Sequence, residues 1–297
     1  MTASQDTLST VEPAPVVLVT GASSGIGRAT AHRLADRGTR LVLAARSRPA
    51  LEVVAEECRQ RGADVLLVPT DVSDEAAVKA LVQAAVERFG RLDACVHAAA
   101  VVAYGRFEDV PTAVFDQVIR TGVLGTANVS RSALQVFRSQ RSGTLVIMGS
   151  LLGKISTPYM SSYVATKAAV ESLGRVLTIE QRDLDNVHVC VVSPGSVATP
   201  VFRHAANYVG RYGRPPPPVV SAERVAVKIV ERLDRPRSRT SVGIANPFMI
   251  FGFRALPGVF DLLVGPLMRV AGLSRTRVDP HAGNVLTPTH YAEPVRE

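Results

Sequence analysis

The sequence predicts an α/β fold, a doubly wound parallel sheet covered by helices on both faces in three αβα layers. From residue 16 onward, short β-branched runs alternate with longer segments of helical period. The runs are almost continuously apolar, as in Val16–Thr20, which is typical of a sheet buried on both sides. Because 297 residues with 46% hydrophobic content can form one core, we expect a single domain.

Seven strands and the helices between them account for most of the chain. The helical segments place apolar residues on one face, for example Leu51, Val54 and Cys58. A helix is also expected over Ser221–Leu233. The predicted strands are Val16–Thr20, Arg40–Ala45, Asp64–Pro69, Leu92–Ala98, Gly143–Gly149, Val187–Ser193 and Thr240–Ala245.

Charge and cysteine content limit the possible partners. The net charge of +8 could indicate a nucleic-acid partner, but the 34 basic residues are scattered, so we favour a solvated Arg-rich surface. Cys58, Cys95 and Cys190 lie in apolar stretches and lack metal-ligand spacing. We therefore expect no metal site and a reducing, cytoplasmic location.

A glycine-rich turn follows the first strand. Residues 20–27 read TGASSGIG, and a helix opens directly after them. Gly21 permits the tight turn, Gly25 lets the backbone approach a pyrophosphate, and Gly27 lets the helix pack closely on the strand. The free N–H groups at the start of the helix can bind the anion. This context predicts a dinucleotide-binding Rossmann fold rather than an ordinary Gly-rich turn.

The end of the second strand favours NADP(H) over NAD(H). An NAD enzyme places an acidic residue there against the ribose 2′-hydroxyl, whereas this chain has Arg46. A guanidinium can bind a 2′-phosphate through two parallel hydrogen bonds. The alternative is that Arg46 is a solvated strand-end residue and that the ribose is bound loosely.

Three residues, one at the end of the fifth strand and two in a later helix, predict the chemistry. Ser150 ends that strand, and Tyr163 and Lys167 lie one helical turn apart on the same face of a later helix. An ammonium beside a phenol, with a nicotinamide cation nearby, lowers the phenol pKa from about 10. Tyr163 could then act as a general acid or base while Ser150 holds the substrate oxygen. This arrangement predicts hydride transfer between a carbonyl and an alcohol.

These motifs resemble those of the short-chain dehydrogenase/reductase family of the classical type, from about residue 16 to residue 200. The resemblance implies that Ser150, Tyr163 and Lys167 are catalytic, with Lys167 also binding the nicotinamide ribose. It implies an adenine contact at Asp71, although Asp71 could equally cap a helix. The cofactor-binding residues predicted in all are Gly21, Ser23, Ser24, Gly25, Ile26, Gly27, Arg46, Asp71, Val72, Ala99, Tyr163, Lys167, Pro194, Gly195, Val197 and Thr199.

Two positions depart from the family pattern. After the fourth strand the family usually carries Asn-Asn-Ala-Gly, whereas residues 97–100 read HAAA, and we interpret His97 as a satisfied strand-end histidine. Gly122 stands where the family places an Asn that holds a water behind the Lys. Either backbone and Thr121 hold that water, or turnover is slow or lost. The alternative function is therefore an NADP-binding regulatory or scaffold protein of the same fold.

The predicted domain organisation has three parts. Residues 1–15 form a mobile lead-in without the features of a secretory signal. Residues 16–246 form the dinucleotide-binding and catalytic domain, with a substrate lid over residues 200–220. Phe202, Tyr208 and Tyr212 could line a pocket for a lipophilic carbonyl or alcohol, or could simply pack this loop.

Residues 247–297 form an apolar C-terminal segment and a flexible tail. Arg254 and Asp261 interrupt the apolar stretch before it reaches the length of a membrane span. We expect it to cover the active site or a subunit interface, with the surface of a membrane as the less favoured alternative. The family resemblance also implies a homodimer or homotetramer that pairs through the helices holding Gly122 and Tyr163.

Overall fold

A seven-stranded parallel sheet lies at the centre of the computed structural model, which describes residues 14–288. The strands are β1 (Val16–Thr20), β2 (Arg40–Ala45), β3 (Val65–Pro69), β4 (Ala94–His97), β5 (Gly143–Met148), β6 (Val187–Pro194) and β7 (Arg239–Val242). They lie side by side in the order β3-β2-β1-β4-β5-β6-β7, and every pairing is parallel. The strand order reverses between β1 and β4, which is where ligands bind in sheets of this kind. The predicted fold class is confirmed.

Most strand bounds agree with the sequence, and the exceptions have local causes. β4 is shorter than the predicted Leu92–Ala98, because Leu92 donates its N–H to Oε1 of Gln140 at 3.0 Å and accepts at its carbonyl from Nε2 of Gln140 at 2.8 Å. β7 ends before the predicted Ala245, because Gly243, with φ +136°, turns the chain away from the sheet.

Helices cover both faces of the sheet. β1 shows how the apolar runs serve both layers: Val17 and Val19 pack into the core on one face, and Val16 and Leu18 into the core on the other. The longer helices are α1 (Gly25–Ala35), α2 (Arg48–Gln60), α3 (Glu75–Phe89), α4 (Thr112–Ile119), α5 (Gly125–Gln140), α6 (Ser161–Glu180), α7 (Ala222–Asp234), α8 (Asn246–Ala255) and α9 (Pro257–Leu267). The first core includes residues of α1, α2 and α7, and the second includes residues of α3, α5 and α6.

The segment expected to be a substrate lid has more regular structure than a loop. A helical turn over Val201–His204 is followed by three short strands, each paired with a partner elsewhere in the chain. Arg211–Gly213 runs antiparallel to the C-terminal strand Leu273–Arg277. The C-terminal segment therefore holds the lid region in place. The other pairs are Ala103–Tyr104 with Ala206–Asn207, and Ser196–Ala198 with Val219–Ser221.

The C-terminal tail differs from the expectation of a flexible end. Val285 is fully buried among Val101, Val114 and Val118, and the Asn284 N–H donates to the carbonyl oxygen of His204 at 2.8 Å. One buried valine in a polar stretch is too weak a signal for sequence reasoning to detect. Residues 1–13 of the predicted lead-in and residues 289–297 of the predicted tail lie outside the described residues. Within residues 14–288, no helix has the length and apolar character needed to cross a bilayer.

Candidate functional site

A cavity of about 230 Å³ opens at the carboxyl edge of the sheet. It extends from Arg46 and Asp71, beside β2 and β3, across the glycine turn to Ser150 and Tyr163. Each residue that the sequence predicts for cofactor binding or chemistry lines this one cavity. Parallel strands bring their carboxyl ends to a single edge, so residues far apart in the chain meet there.

The glycine turn has no space for side chains. Gly21 has φ +68°, and a Cβ on it would lie 2.7 Å from the backbone nitrogen of Ala99. A Cβ on Gly27 would lie 2.1 Å from the carbonyl oxygen of Gly21. Ser24, the N-cap of α1, makes no side-chain hydrogen bond to the helix, which leaves the first N–H groups available to an anion. The turn therefore fits the diphosphate of a dinucleotide.

Arg46 contacts a part of the chain that sequence reasoning missed. Its guanidinium donates to the carbonyl oxygens of Asn284 and of Val285, the latter at 3.1 Å. Asn284 and Pro288 line the cavity next to it. Burial lowers the pKa of Arg46, and the nearby carboxylate of Asp71 partly opposes that shift. The C-terminal tail thus closes the end of the cavity at Arg46 and Asp71.

Asp71 is not the helix cap that the sequence left open as an alternative. Its carboxylate accepts from the N–H of Ser73 at 2.9 Å and from the Ser73 hydroxyl at 2.7 Å, while Asp74 caps α3. Asp71 therefore stabilises the turn after β3 and remains on the cavity wall.

Ser150, Tyr163 and Lys167 meet at the other end of the cavity. Nζ of Lys167 donates to the carbonyl oxygen of Met148 at 2.7 Å and lies 5.5 Å from the centre of the Tyr163 ring. The Ser150 hydroxyl accepts from the N–H of Leu152 at 3.1 Å. It is also hydrogen-bonded to the Tyr163 phenol. A hydroxyl and a phenol thus converge at one point of the cavity, with an ammonium close to the ring.

The pKa expected for Tyr163 needs correction. The sequence predicts that Lys167 lowers it, but burial raises the pKa of Tyr163 to about 12, opposed only by the hydrogen bond from Ser150. Burial also lowers the pKa of Lys167 to about 8, although the carboxylate of Glu171 works against that shift. Burial removes the phenolate from water, and this desolvation outweighs the hydrogen bond from Ser150. In the structure Tyr163 is a protonated phenol at neutral pH.

Gly122 occupies a site where a larger side chain does not fit. It lies in a π-helical turn, Arg120–Leu124, and a Cβ on it would lie 2.1 Å from Cγ2 of Thr166. The asparagine usual in the family therefore has no room here. Thr121 lines the cavity, and the buried Thr166 hydroxyl has no hydrogen-bond partner among the described residues. The Thr166 hydroxyl is thus close to the place where that amide would be, because a Cβ on Gly122 would lie 3.2 Å from its Oγ1. The Thr121 hydroxyl accepts a hydrogen bond from Nε2 of Gln117 at 3.1 Å.

His97 lies at the end of β4 and has partners on both ring nitrogens. Nδ1 lies 2.8 Å from the hydroxyl of Thr20, and Nε2 lies 3.0 Å from the hydroxyl of Thr126. Burial, with a smaller contribution from the charge on Lys167, lowers the pKa of His97 to about 3. It is a neutral, satisfied histidine that ties β1 to α5, as the sequence interpretation proposed.

A second, mostly apolar cavity of about 200 Å³ meets the first at Ser150 and Tyr163. Phe202 lines both cavities. Tyr208 and Tyr212 line neither: Tyr208 packs against the core that contains Val285, and the Tyr212 ring lies 6.5 Å from the ring of His281. These two tyrosines pack the lid segment, which was the other possibility open from the sequence.

Known proteins resemble this chain in sequence and in fold. Residues 15–208 match the family described as short chain dehydrogenase. An uncharacterised oxidoreductase of Bacillus subtilis is 32% identical over 198 residues, which cover 66% of this chain and 56% of that protein. The chain therefore matches little more than half the length of this relative.

Solved structures of the same fold include one with NAD and one with 5-hydroxy-NADP. A short chain dehydrogenase/reductase of Burkholderia phymatum, in complex with NAD, is 28% identical with a TM-score of 0.73, covering 85% of this chain and 96% of that one. An alcohol dehydrogenase of Thermococcus sibiricus, complexed with 5-hydroxy-NADP, is 28% identical with a TM-score of 0.67, covering 77% and 95%.

We expect the buried His97 to make stability depend on pH. Its folded pKa of about 3 lies below the ordinary histidine pKa of 6.5, so the unfolded chain takes up a proton that the folded chain does not. The free energy of unfolding should therefore fall as pH decreases from about 6.5 towards about 3. Urea unfolding of the wild type and of His97→Asn at several pH values tests this. An equally steep pH dependence in His97→Asn would contradict the assignment.

Proposed function

This chain belongs to the short chain dehydrogenase family, and from that premise we propose that it interconverts a carbonyl and an alcohol using NADP(H). One observation carries the proposal: the Tyr163 phenol and the Ser150 hydroxyl lie where the first cavity meets the apolar one. A dinucleotide in the first cavity and a substrate in the second would both reach these two groups. When bound, the nicotinamide supplies or accepts the hydride.

Ser150 and Tyr163 hold the substrate oxygen and move its proton. During reduction the oxygen gains negative charge, which the Ser150 hydroxyl stabilises by donating a hydrogen bond. Tyr163 gives its proton to that oxygen as general acid. Because its pKa is about 12, the phenol is protonated at neutral pH, as reduction requires. The site therefore holds the proton that reduction of a carbonyl requires.

Lys167 stabilises the phenolate that this proton transfer leaves behind. The ammonium lies 5.5 Å from the ring centre and is 5% exposed, so water screens its charge only weakly. Glu171 keeps the ammonium protonated against the effect of burial. Glu171 in turn accepts from the hydroxyl of Ser193 and pairs with Lys154 at 3.6 Å. We assign Lys167 as the counter-charge of Tyr163 and as a ligand of the nicotinamide ribose.

Arg46 supports NADP(H) as the cofactor. It is the cation on the cavity wall at the end of β2, where a carboxylate would select NAD(H). The carbonyl oxygens of Asn284 and Val285 hold its guanidinium at the cavity. A preorganised guanidinium loses little conformational entropy on binding a phosphate.

The apolar cavity supports a lipophilic substrate. Its walls beyond Ser150 and Tyr163 are largely aliphatic and aromatic, and they include Leu152, Met160 and Phe202. Burying apolar surface contributes about 25 cal/mol per Å² to binding. We therefore propose an apolar ketone, aldehyde or secondary alcohol as the substrate.

The assembly that we propose is a homodimer or homotetramer. The helix α6, which holds Tyr163, exposes Val176 and Ile179 on its outer face. Apolar side chains on a helix that the family resemblance places at subunit contacts fit an interface. We also propose a reducing compartment such as the cytoplasm, because Cys58, Cys95 and Cys190 are all free and buried.

Removal of the phenol hydroxyl should abolish turnover. We expect Tyr163→Phe to reduce NADPH-dependent carbonyl reduction by about 10²–10⁴-fold while NADPH binding is retained. The measurement is NADPH consumption over a panel of apolar ketones and aldehydes, with calorimetry for binding. Tyr208→Phe, outside both cavities, is the matched control.

Two outcomes would redirect the assignment. Unchanged turnover in Tyr163→Phe would remove the proposed acid. A wild type that binds NADPH but reduces nothing in the panel would instead support the regulatory or scaffold function.

The pH dependence of kcat/KM should reflect the protonation of Lys167. We expect kcat/KM for reduction to be level up to about pH 8 and to fall above it, because the ammonium is lost there while Tyr163 remains protonated. Lys167→Arg keeps its charge and should remove that fall, even though its rate is lower. A profile that stays level to about pH 10 in the wild type would show that the charge is not needed.

Cofactor preference should depend on Arg46. We expect Arg46→Ala to weaken NADPH binding roughly tenfold or more and to change NADH binding little, because only the 2′-phosphate needs the guanidinium. Arg48→Ala, two residues on and exposed, is the control. Equal weakening of both cofactors would reject the assignment of Arg46 to the 2′-phosphate.

A further inference from the structure

Helices α8 and α9, with the residues directly after each of them, expose eight large apolar side chains. Each of the eight is at least half exposed, and together they form what we name the apolar plate: Phe248, Phe251, Leu256, Val259, Leu262, Leu263, Leu267 and Val270. The two helices pack on each other through Phe253 and Phe260, whose rings meet edge to face at 5.2 Å. Soluble monomers rarely leave large apolar patches uncovered unless a partner binds there.

The inner side of the same helices forms a wall of the apolar cavity. Met249, Val264 and Met268 line that cavity, together with Leu267, which also belongs to the plate. The cavity wall and the plate are thus two sides of one pair of helices, and they meet at Leu267.

The charges around the plate identify its partner. Asp261 is the only acidic residue between positions 246 and 277, a stretch that also contains Arg254, Arg269, Arg275 and Arg277. All four arginines are exposed. We name these four arginines the cationic rim. In a two-fold contact between two copies of the chain, the cationic rim of one copy would face the cationic rim of the other. Anionic lipid headgroups complement the rim, and acyl chains complement the plate.

We propose that the apolar plate lies on the surface of an anionic bilayer. The helices have 10 and 11 residues, which corresponds to lengths of about 15 and 16 Å, far less than the roughly 30 Å of a bilayer core. They therefore lie in the interface without crossing it. The Arg269 guanidinium, held by the Tyr159 hydroxyl at 2.9 Å, is positioned at the edge of the plate.

Membrane contact at the plate also gives the substrate a route. A lipophilic carbonyl concentrates in the bilayer, and the cavity edge at Leu267 is part of the surface that contacts it. This second step rests on the proposed oxidoreductase function, whereas lipid binding itself does not.

Flotation of the full-length chain with vesicles tests the proposal. We expect binding to vesicles of phosphatidylcholine with phosphatidylglycerol, weaker binding to phosphatidylcholine alone, and loss of at least about tenfold in affinity in Phe248→Ser/Phe251→Ser. Both phenylalanines lie outside the cavities, so the double variant should keep its melting temperature and its activity on water-soluble carbonyls. Phe107→Ser, similarly exposed elsewhere, is the matched control and should bind like the wild type.

Each alternative result is decisive. Equal vesicle binding by the wild type and the double variant, or no binding by the wild type, would overturn the proposal. A wild-type dimer that dissociates in Phe248→Ser/Phe251→Ser would show instead that a second copy covers the plate. Because flotation does not require turnover, its result stands whether or not the protein reduces carbonyls. For substrate entry, the double variant should lose activity on a long-chain ketone held in vesicles and keep it on a soluble ketone.

Discussion

The turn between β1 and α1 leaves no space for a Cβ at Gly21 or at Gly27, and the geometry of the site follows from that contact. Backbone packs against backbone there, so α1 approaches the sheet edge with its first N–H groups directed to the cavity. The same contact brings Ala99, after β4, against the turn. The middle of the cavity is thus formed by backbone contacts that any side chain at these two glycines would disrupt.

How far the sequence predicts the site depends on the range of each interaction. The glycine turn, Ser150, and the pair Tyr163 and Lys167 are specified by short spacings on single elements, and the structure brings them together as expected. The pKa of Tyr163 depends on how much water the whole fold removes, which no local pattern encodes. The contact of Arg46 with residues 284 and 285 joins segments that are 238 and 239 residues apart in the chain. The only sign of it in the sequence is one apolar residue, Val285, in a polar stretch.

The two departures from the family pattern are each matched by a neighbouring residue. His97 takes the place of an amide and ties the ends of β1 and α5 through Thr20 and Thr126. At Gly122, the methyl group of Thr166 occupies the space where a side chain would lie. In both cases a threonine on an adjacent element takes part in the packing. At both positions the residue type suits the tertiary contacts around it, and such agreement is what a stable fold requires.

The contact between the C-terminal tail and Arg46 couples the carboxyl-terminal residues of the chain to the cavity. A guanidinium has five N–H donors, and the carbonyl oxygens of Asn284 and Val285 engage two of its nitrogens. The same guanidinium therefore contacts the tail and is available to bind an anion. By thermodynamic linkage, each of these interactions changes the free energy of the other by the same amount. A truncation or a fusion that disturbs residues 284 and 285 therefore also alters how Arg46 is held at the cavity wall.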